Sequence, residues 1–463
     1  MSYEEVQKSL KERFEALIAT EDKLQISDFL NHLNISDVAD LVHEFPDYES
    51  NIVAGMSLRR AASVFKIIEL SAQKRIIKEL PPNTVAALLN ELPPDDRTDF
   101  LEELPGNVVR ELIKLLDPEQ RKVTLSLLGY PGNSIGRLMT PDYVYVYPSN
   151  TIEEVFTTIR KHGKDSETIN VIYVINEDGE LLDDIRIRDF ILSAPDKKVS
   201  ELMDGRFVYL HPEDDQETAG ETFKMNNRDA LPVVSKSNKL LGIVTIDDIL
   251  WVTSEEFSED MQMIGGTEAL DQPYLETPIL RLFKKRITWL VVLFVGEMLT
   301  ATAMKFFEAE IAKAVVLVLF VPLIISSGGN SGSQASTLII QAMAVGEIHL
   351  SDWWKVMRRE IISGLLLGTV LGLIGFLRIA LWHSVAPTIY GEHWMALGFT
   401  VAITLLGVVL WGTLSGSMLP MILKRLGADP AVSSAPFVAT LVDVTGLIIY
   451  FSVAFLILSG RLL

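Results

Sequence analysis

The spacing of hydrophobic and polar positions along the chain changes twice, and residues 1–130 show the first pattern. Short segments such as TVAALLNEL and RTDFLEEL place apolar residues three and four positions apart, as helices that bury one face do. From Leu80 to Pro105 a Leu-Pro pair recurs every 12 residues, and Leu116-Asp117 continues the series. Proline ends one helix and suits the first turn of the next. We therefore predict an all-α domain over residues 1–130, in which short helices stack into a superhelix.

Residues 131–250 contain strand-like runs instead. The runs YVYVYP, VIYVI, RFVYLHP, ALPVV and LLGIVTI are rich in β-branched and aromatic residues and are separated by amphipathic stretches. The segment is duplicated. The run IGRLMTPDYVYVYPSNTIEEVFTTI is similar to the later run VSELMDGRFVYLHPEDDQETAGETF, with Met139 and Met203 in equivalent places. Each copy is predicted to run helix, strand, helix, strand, strand, helix.

This duplicated segment resembles a tandem of CBS domains, which are paired regulatory modules. The second copy ends in LGIVTIDDIL, where Gly242, Thr245 and Asp248 match the CBS ending. The first copy reads LDDIRIRDF and matches only at Asp189. The resemblance implies α/β CBS domains over residues 131–199 and 200–254. An acidic connecting helix is predicted over residues 255–280, with a break at Gly265-Gly266.

From Ile287 the chain is predicted to be a membrane domain. Five apolar stretches lie near 287–306, 314–344, 361–383, 394–421 and 433–458. Basic residues concentrate before the first stretch, between the second and third, and between the fourth and fifth. The positive-inside rule then places the soluble domains in the cytoplasm and the C-terminus outside. We predict a multi-pass protein of the cell (inner) membrane, surrounded by lipid, with a five-helix transmembrane α domain over residues 281–463.

The charge of the chain is divided unevenly between these parts. Residues 281–463 carry 13 basic and 9 acidic side chains, a net charge of +4, whereas the whole chain carries −20. Residues 1–280 therefore carry −24. Such an acidic surface disfavours nucleic-acid binding and suits cations, although acidic surfaces also serve solubility alone.

Two acidic residues lie inside apolar stretches. A carboxylate within a membrane helix costs about 2.5–3.5 kcal/mol on insertion scales, so its default interpretation is an ion path or a proton relay. Asp443 lies in the fifth stretch, within SSAPFVATLVDVTGLIIYFSVAFLIL. Glu297 lies in the first, where a lateral site and a pairing with a basic residue both remain open.

The second stretch is interrupted by SSGGNSGSQAST, from Ser326 to Thr337. Small residues let membrane helices approach closely, and a packing face is one interpretation. The other is a kinked, pore-lining segment, in which Asn330 and backbone oxygens face a hydrated ion.

Magnesium explains this set of residues well. It takes oxygen ligands and keeps several of its waters, so a pore for it needs few carboxylates. The chain has no cysteine, and its seven histidines show no transition-metal spacing. A nucleophile–base pair, a P-loop and an HExxH motif are also absent from the sequence, so an enzyme is not predicted.

The membrane segments PLIISSGGNSGSQASTLIIQAMAVGEI and DPAVSSAPFVATLVDVTGLIIYFSVA resemble the signatures of MgtE-type magnesium channels. The order of domains matches that family along the whole chain. The resemblance implies a homodimer with one pore, in which Asp443 of both chains binds hydrated Mg²⁺ and Asn330 lines the pore. It also implies that cytosolic Mg²⁺ closes the channel by bridging acidic faces of the soluble domains. The regulatory ligands that it suggests are Asp95, Asp96, Asp215, Glu217, Asp248, Glu256, Glu259 and Asp260.

The resemblance also permits an adenine nucleotide in the second CBS copy, with Asp248 on the ribose. Two other functions compete with a gated channel. A secondary transporter could couple divalent-cation movement to protons through Glu297 and Asp443, although five spans do not divide into inverted repeats. A CBS-regulated membrane sensor or enzyme is the third alternative.

Overall fold

The computed structural model describes residues 3–20, 22–270, 272–275 and 277–459. It divides into two compact units, Met1–Thr253 and Ser254–Leu463. The expected fold class is confirmed: a helical N-terminal domain, two related α/β halves with strands, and five long apolar helices.

The first part of the soluble unit is helical throughout. The 12-residue period appears as consecutive short helices. Three of these helices begin at a proline, namely Pro82, Pro94 and Pro118, and a fourth begins at Gly106, directly after Pro105. Alternate helices pack against each other around a common apolar core, as expected for a stacked array. The helices are α1 Tyr3–Thr20, α2 Lys23–His32, α3 Ile35–Glu44, α4 Glu49–Ala54, α5 Leu58–Phe65, α6 Leu70–Glu79, α7 Pro82–Glu91, α8 Pro94–Glu102, α9 Gly106–Leu115 and α10 Pro118–Leu127.

The duplicated segment folds into two related α/β halves. In the first half β1 pairs in parallel with β2, which pairs antiparallel with β3; in the second, β4 pairs antiparallel with β5. The run RFVYLHP was expected to be a strand, but over the described residues it forms a single bridge, between Leu210 and Val233. The elements are α11 Ile135–Leu138, β1 Tyr145–Val146, α12 Ile152–His162, β2 Val171–Ile175, β3 Leu181–Arg186, α13 Ile187–Ile191, α14 Gln216–Asn226, β4 Ala230–Val234, β5 Leu240–Thr245 and α15 Ile246–Ile264.

The helix α15 joins the last CBS element to the connecting segment without a break. It begins directly after β5 and ends before Gly265-Gly266, where Gly266 has a φ of +74°. The Gly-Gly pair therefore ends the helix, because a left-handed residue is easiest for glycine. The boundary that we expected at residues 254 and 255 falls inside α15.

The second unit contains five helices long and apolar enough to cross a membrane. The expected spans are confirmed, and the third extends further towards its N-terminus than hydropathy indicated. A short helix, α17 Glu308–Lys313, follows the first span, and a 3₁₀ turn, Val315–Phe320, precedes the second. The spans are formed by α16 Ile279–Phe306, α18 Val321–Ala344, α19 Trp353–Val385, α20 Trp394–Arg425 and α21 Ala435–Leu458.

The small-residue run does not interrupt the helix of the second span. The helix α18 continues from Val321 to Ala344 through the whole run, so the expectation of an interrupted helix is wrong. Its glycines instead let neighbouring backbones approach: a Cβ on Gly416 of α20 would lie 2.1 Å from the Gly332 carbonyl oxygen, and one on Gly412 would lie 2.5 Å from that of Gly328. The small-residue packing face is thus the correct interpretation of these glycines.

Candidate functional site

The carboxyl group of Asp443 lies against the glycine-rich face of α18. A Cβ added to Gly329 would lie 3.5 Å from Asp443 Oδ1, which places that oxygen beside the α18 backbone. The next residue, Asn330, is exposed and donates a 3.3 Å hydrogen bond from Nδ2 to Ser326 Oγ. The structure therefore places Asp443 of α21 against α18, next to the residue that precedes Asn330. A carboxylate beside a helix that carries an amide and hydroxyl groups could supply oxygen ligands to a hydrated hard cation.

A third polar side chain comes from α16. This helix contacts α21 closely, because a Cβ on Gly296 would lie 3.0 Å from Thr440 Cγ2. The neighbouring Glu297 is exposed, and its carboxylate is near enough to Asp443 to repel it. The lateral site and the pairing with a basic residue both remain predictions for Glu297. Two repelling carboxylates favour a cation between or near them.

The segment before α21 is fastened to α18 by serines of the small-residue run. Ser333 Oγ donates to the Ala435 carbonyl oxygen and Ser336 Oγ to that of Ser433, both at 2.9 Å. The Ser336 bond supplies a donor to the Ser433 carbonyl just before α21, and the Ser333 bond ties the first turn of α21 to α18. The polar residues of the run thus position the N-terminus of the helix that carries Asp443.

The end of α15 meets the same region through one tight junction. A Cβ on Gly266 would lie 2.9 Å from Trp289 Cδ1 and 3.2 Å from Pro436 Cγ. The Trp289 indole Nε1 donates a 3.0 Å hydrogen bond to Ser434 Oγ, and its ring packs at 6.2 Å from that of Phe437. The connecting segment, the first span and the fifth span therefore meet at a single point.

A second acidic site lies within the soluble unit, where α8 approaches the CBS halves. Asp95 and Asp96 occupy the first turn of α8, and Asp248 occupies the first turn of α15. Sequence analysis named these three residues but missed Glu167 and Asp247, which interact with them electrostatically. We call these five residues the acidic cluster: Asp95, Asp96, Glu167, Asp247 and Asp248.

Burial and mutual repulsion raise the pKa of the buried members of this cluster. Burial raises the pKa of Asp95 well above its usual range, and the charges of Asp248, Asp96 and Glu167 add to the effect. Burial likewise raises the pKa of Asp248 to about 7, although Thr245 Oγ1 donates a 2.5 Å hydrogen bond to Asp248 Oδ2 and opposes the rise. Because the charged forms of Asp95 and Asp248 are unfavourable, a bound cation would stabilise them.

The other predicted regulatory residues are not part of this cluster. Asp215 caps α14 by accepting a 2.8 Å hydrogen bond from the Glu217 backbone N–H, and both side chains are exposed. Glu256, Glu259 and Asp260 lie in the second half of α15, which belongs to the membrane unit. Over the described part of the chain, no three histidine, aspartate or glutamate side chains are close enough to hold a metal ion.

The stability of the soluble unit should fall as pH rises from about 4 to about 7, because the folded protein retains the Asp248 proton that the unfolded chain loses. Lowering the pH from 8 to 6 without Mg²⁺ should therefore slow proteolysis of residues 1–253. Asp248→Asn should weaken this pH dependence and stabilise the unit at pH 8. Glu221→Gln, at an exposed position of α14, is the control. Equal pH dependence in wild type and Asp248→Asn would contradict the prediction.

Comparison with known proteins gives matches along most of the chain. The family described as MgtE, divalent cation transporter, matches residues 321–453. The MgtE intracellular N domain matches residues 33–133, and the CBS domain matches residues 135–195 and 199–255.

Several relatives match over long regions. The magnesium transporter MgtE of Thermus thermophilus is 38% identical over 351 residues, which are 76% of each chain. The magnesium transporter MgtE of Bacillus subtilis is 27% identical over 93% of this chain and 94% of its own. A crystal structure of the cytosolic domain of the Mg²⁺ channel MgtE in complex with ATP is 32% identical, with a TM-score of 0.50; the match covers 52% of this chain and 98% of that one.

Proposed function

Because this chain belongs to the MgtE family of magnesium transporters, we propose that it is a Mg²⁺-selective channel which closes when cytosolic Mg²⁺ binds its acidic soluble part. The family consists of transporters, and the chain is a multi-pass membrane protein with soluble N-terminal domains. The observation that carries the channel proposal is the Asp443 carboxylate, half-buried among apolar helices and next to the polar face of α18.

The pore ligands in this proposal act on a hydrated ion. Mg²⁺ dehydrates reluctantly, so a carboxylate and an amide would bind its water shell rather than replace it. One chain supplies a single Asp443 and a single exposed Asn330, which can surround only one side of such an ion. We therefore propose a homodimer in lipid, with the two Asp443 carboxylates facing each other across a twofold axis. The basic loops favour cytoplasmic soluble domains and an external C-terminus.

Closure by Mg²⁺ follows from the electrostatics of the soluble part. Residues 1–280 carry a net charge of −24, and the acidic cluster places five carboxyl groups between the helical domain and the CBS halves. Mg²⁺ that binds the compact arrangement more tightly than an open one shifts the population towards it. In the proposal, Asp95, Asp96 and Asp248 belong to this sensor; Asp215 and Glu217 remain candidate ligands at the surface.

We propose that the CBS domains bind an adenine nucleotide, because the relative's cytosolic domain was crystallised with ATP. In the second copy, Asp248 belongs to the acidic cluster, which would repel a phosphate. A cleft of about 350 Å³ beside Asp189 offers three arginines that suit phosphates, Arg186, Arg206 and Arg228, but it is also lined by Asp183, Asp184 and Asp204. Arg228 is already paired with Asp184 at 3.1 Å. The Asp248 position and this cleft are therefore the two candidate places for the nucleotide.

Mg²⁺ flux into liposomes tests the transport step, and a proton gradient separates the two transport mechanisms. A channel should give a current that follows the Mg²⁺ electrochemical gradient and is unaffected by collapse of the pH gradient. Flux that requires the pH gradient would instead establish a secondary transporter. Purified protein that passes no ion would revive the sensor or enzyme alternative.

Gating is tested on excised patches with Mg²⁺ stepped on the cytosolic face. Changing Glu256, Glu259 and Asp260 together to Ala should leave conduction intact and raise the Mg²⁺ concentration needed for closure. The reason is that these acids lie on α15 just before the Gly266 junction, so their neutralisation removes part of the difference in Mg²⁺ affinity between the two states. If the triple variant closes at the wild-type concentration, these acids are not part of the sensor.

A further inference from the structure

One basic side chain reaches into the acidic cluster. Lys66 follows α5, and its Nζ lies 3.2 Å from Asp96 Oδ2. The Lys66 side chain is 27% exposed and that of Asp96 20%, so the pair is largely shielded from water. Burial alone would lower the pKa of Lys66, but the charges of Asp96, Glu167 and Asp95 raise it above its usual range. Lys66 is therefore fully charged and interacts with at least three members of the cluster.

The cluster is not fully neutralised by this lysine. Asp95 is 6% exposed, and its Oδ1 is buried without a hydrogen-bond partner. The nearby Arg97 is fully buried, but its guanidinium donates to Thr124, to Gln120 and to the carbonyl groups of Leu89 and Leu92. A buried carboxyl oxygen without a donor requires a proton or a further cation.

We propose that Lys66 is a tethered cation that competes with Mg²⁺ for the acidic cluster and so sets the Mg²⁺ concentration at which the soluble part becomes compact. This inference rests on the proposed sensing function. A single ammonium group supplies one charge to five carboxyl groups, whereas Mg²⁺ supplies two and binds several oxygens directly or through water.

The two cations exclude each other at close range. A hydrated Mg²⁺ bound to Asp96 would occupy the space that the Lys66 ammonium holds at 3.2 Å, and like charges repel strongly in a shielded site. In this proposal, the Lys66 ammonium group therefore moves away from Asp96 when Mg²⁺ binds the acidic cluster.

The test uses the full-length protein in detergent micelles and MgCl₂ as the probe. Limited proteolysis of the soluble part is followed against Mg²⁺ concentration at constant ionic strength, so that screening is separated from binding. Removal of the competing charge in Lys66→Met should lower the midpoint of protection by about tenfold. Lys66→Arg keeps the charge and should stay near the wild-type midpoint. Lys78→Met, at an exposed position of α6, is the charge-matched control and should also stay near it.

The outcomes separate this inference from the function on which it rests. A wild-type protein that Mg²⁺ does not protect would overturn both. If wild type is protected but Lys66→Met has an unchanged or higher midpoint, Lys66 supports the cluster structurally and the inference is wrong. An equal shift in Lys78→Met would show a general charge effect and would also overturn it. Should Lys66→Met fold poorly, Lys66→Gln replaces it, with the same expected direction.

Discussion

Asp443→Asn should leave the protein folded but reduce Mg²⁺ flux into liposomes by at least about tenfold, because the change removes the charge that attracts the ion at the pore. Asn has nearly the same shape as Asp, and the side chain is half-buried beside Gly329, so the packing of α18 and α21 should survive. Flux is measured with a Mg²⁺-sensitive dye inside the liposomes, at matched protein content.

The neighbouring acid provides the comparison for this experiment. Glu297→Gln removes a carboxylate that is exposed on α16 and that repels Asp443, so flux should fall less than in Asp443→Asn. Thermal unfolding in detergent shows whether each variant remains folded. Normal flux and selectivity in a folded Asp443→Asn protein would end the pore hypothesis, and a larger loss in Glu297→Gln would move the site to α16.

Gly416→Ala should destabilise the membrane domain by ~1–3 kcal/mol or more and remove most of the flux. Its new methyl group would lie 2.1 Å from the Gly332 carbonyl oxygen, which belongs to the backbone and cannot rotate away. The helices α18 and α20 would have to separate, and α18 would lose its position beside Asp443. The temperature of unfolding in detergent and the flux should therefore fall together.

The same helix offers a matched control for this substitution. A Cβ on Gly407 would lie 3.5 Å from Ile449 Cγ2, which is an ordinary contact. Gly407→Ala should thus unfold near the wild-type temperature and transport normally. If Gly416→Ala behaves like Gly407→Ala, the close approach of α18 and α20 is not required for the fold or for transport.

Hydropathy was sufficient to predict the membrane architecture, because each span is a long apolar run with basic residues at its ends. It was insufficient for the conformation of α18. The run from Ser326 to Thr337 looks like a break when it is considered alone, since glycine and serine are poor helix formers in water. Its glycines pack against Gly412 and Gly416, which lie more than 70 residues away in the sequence and which no local pattern connects to it.

The acidic cluster shows a similar limit. The sequence indicated Asp95, Asp96 and Asp248 through the family resemblance, and the structure places them together. Glu167 follows α12 in a polar loop that resembles any solvated surface, and Lys66 follows α5 in the helical domain. Their proximity arises from the docking of the helical domain on the CBS halves, so only tertiary structure could have identified them.

The junction at Gly266 has a mechanical consequence. Trp289 and Pro436 pack directly against Gly266, so a displacement of the end of α15 would press on the start of α21 and on α16. Asp443 lies nine residues beyond Ser434, about 13 Å along a helix that rises 1.5 Å per residue. A tilt of about 5° around that end would move the carboxylate sideways by about 1 Å. In a symmetric pair of chains the distance between the two carboxylates would change by twice that amount. A small displacement at the N-terminus of α21 would therefore be enough to change how the carboxylates contact the water shell of the ion.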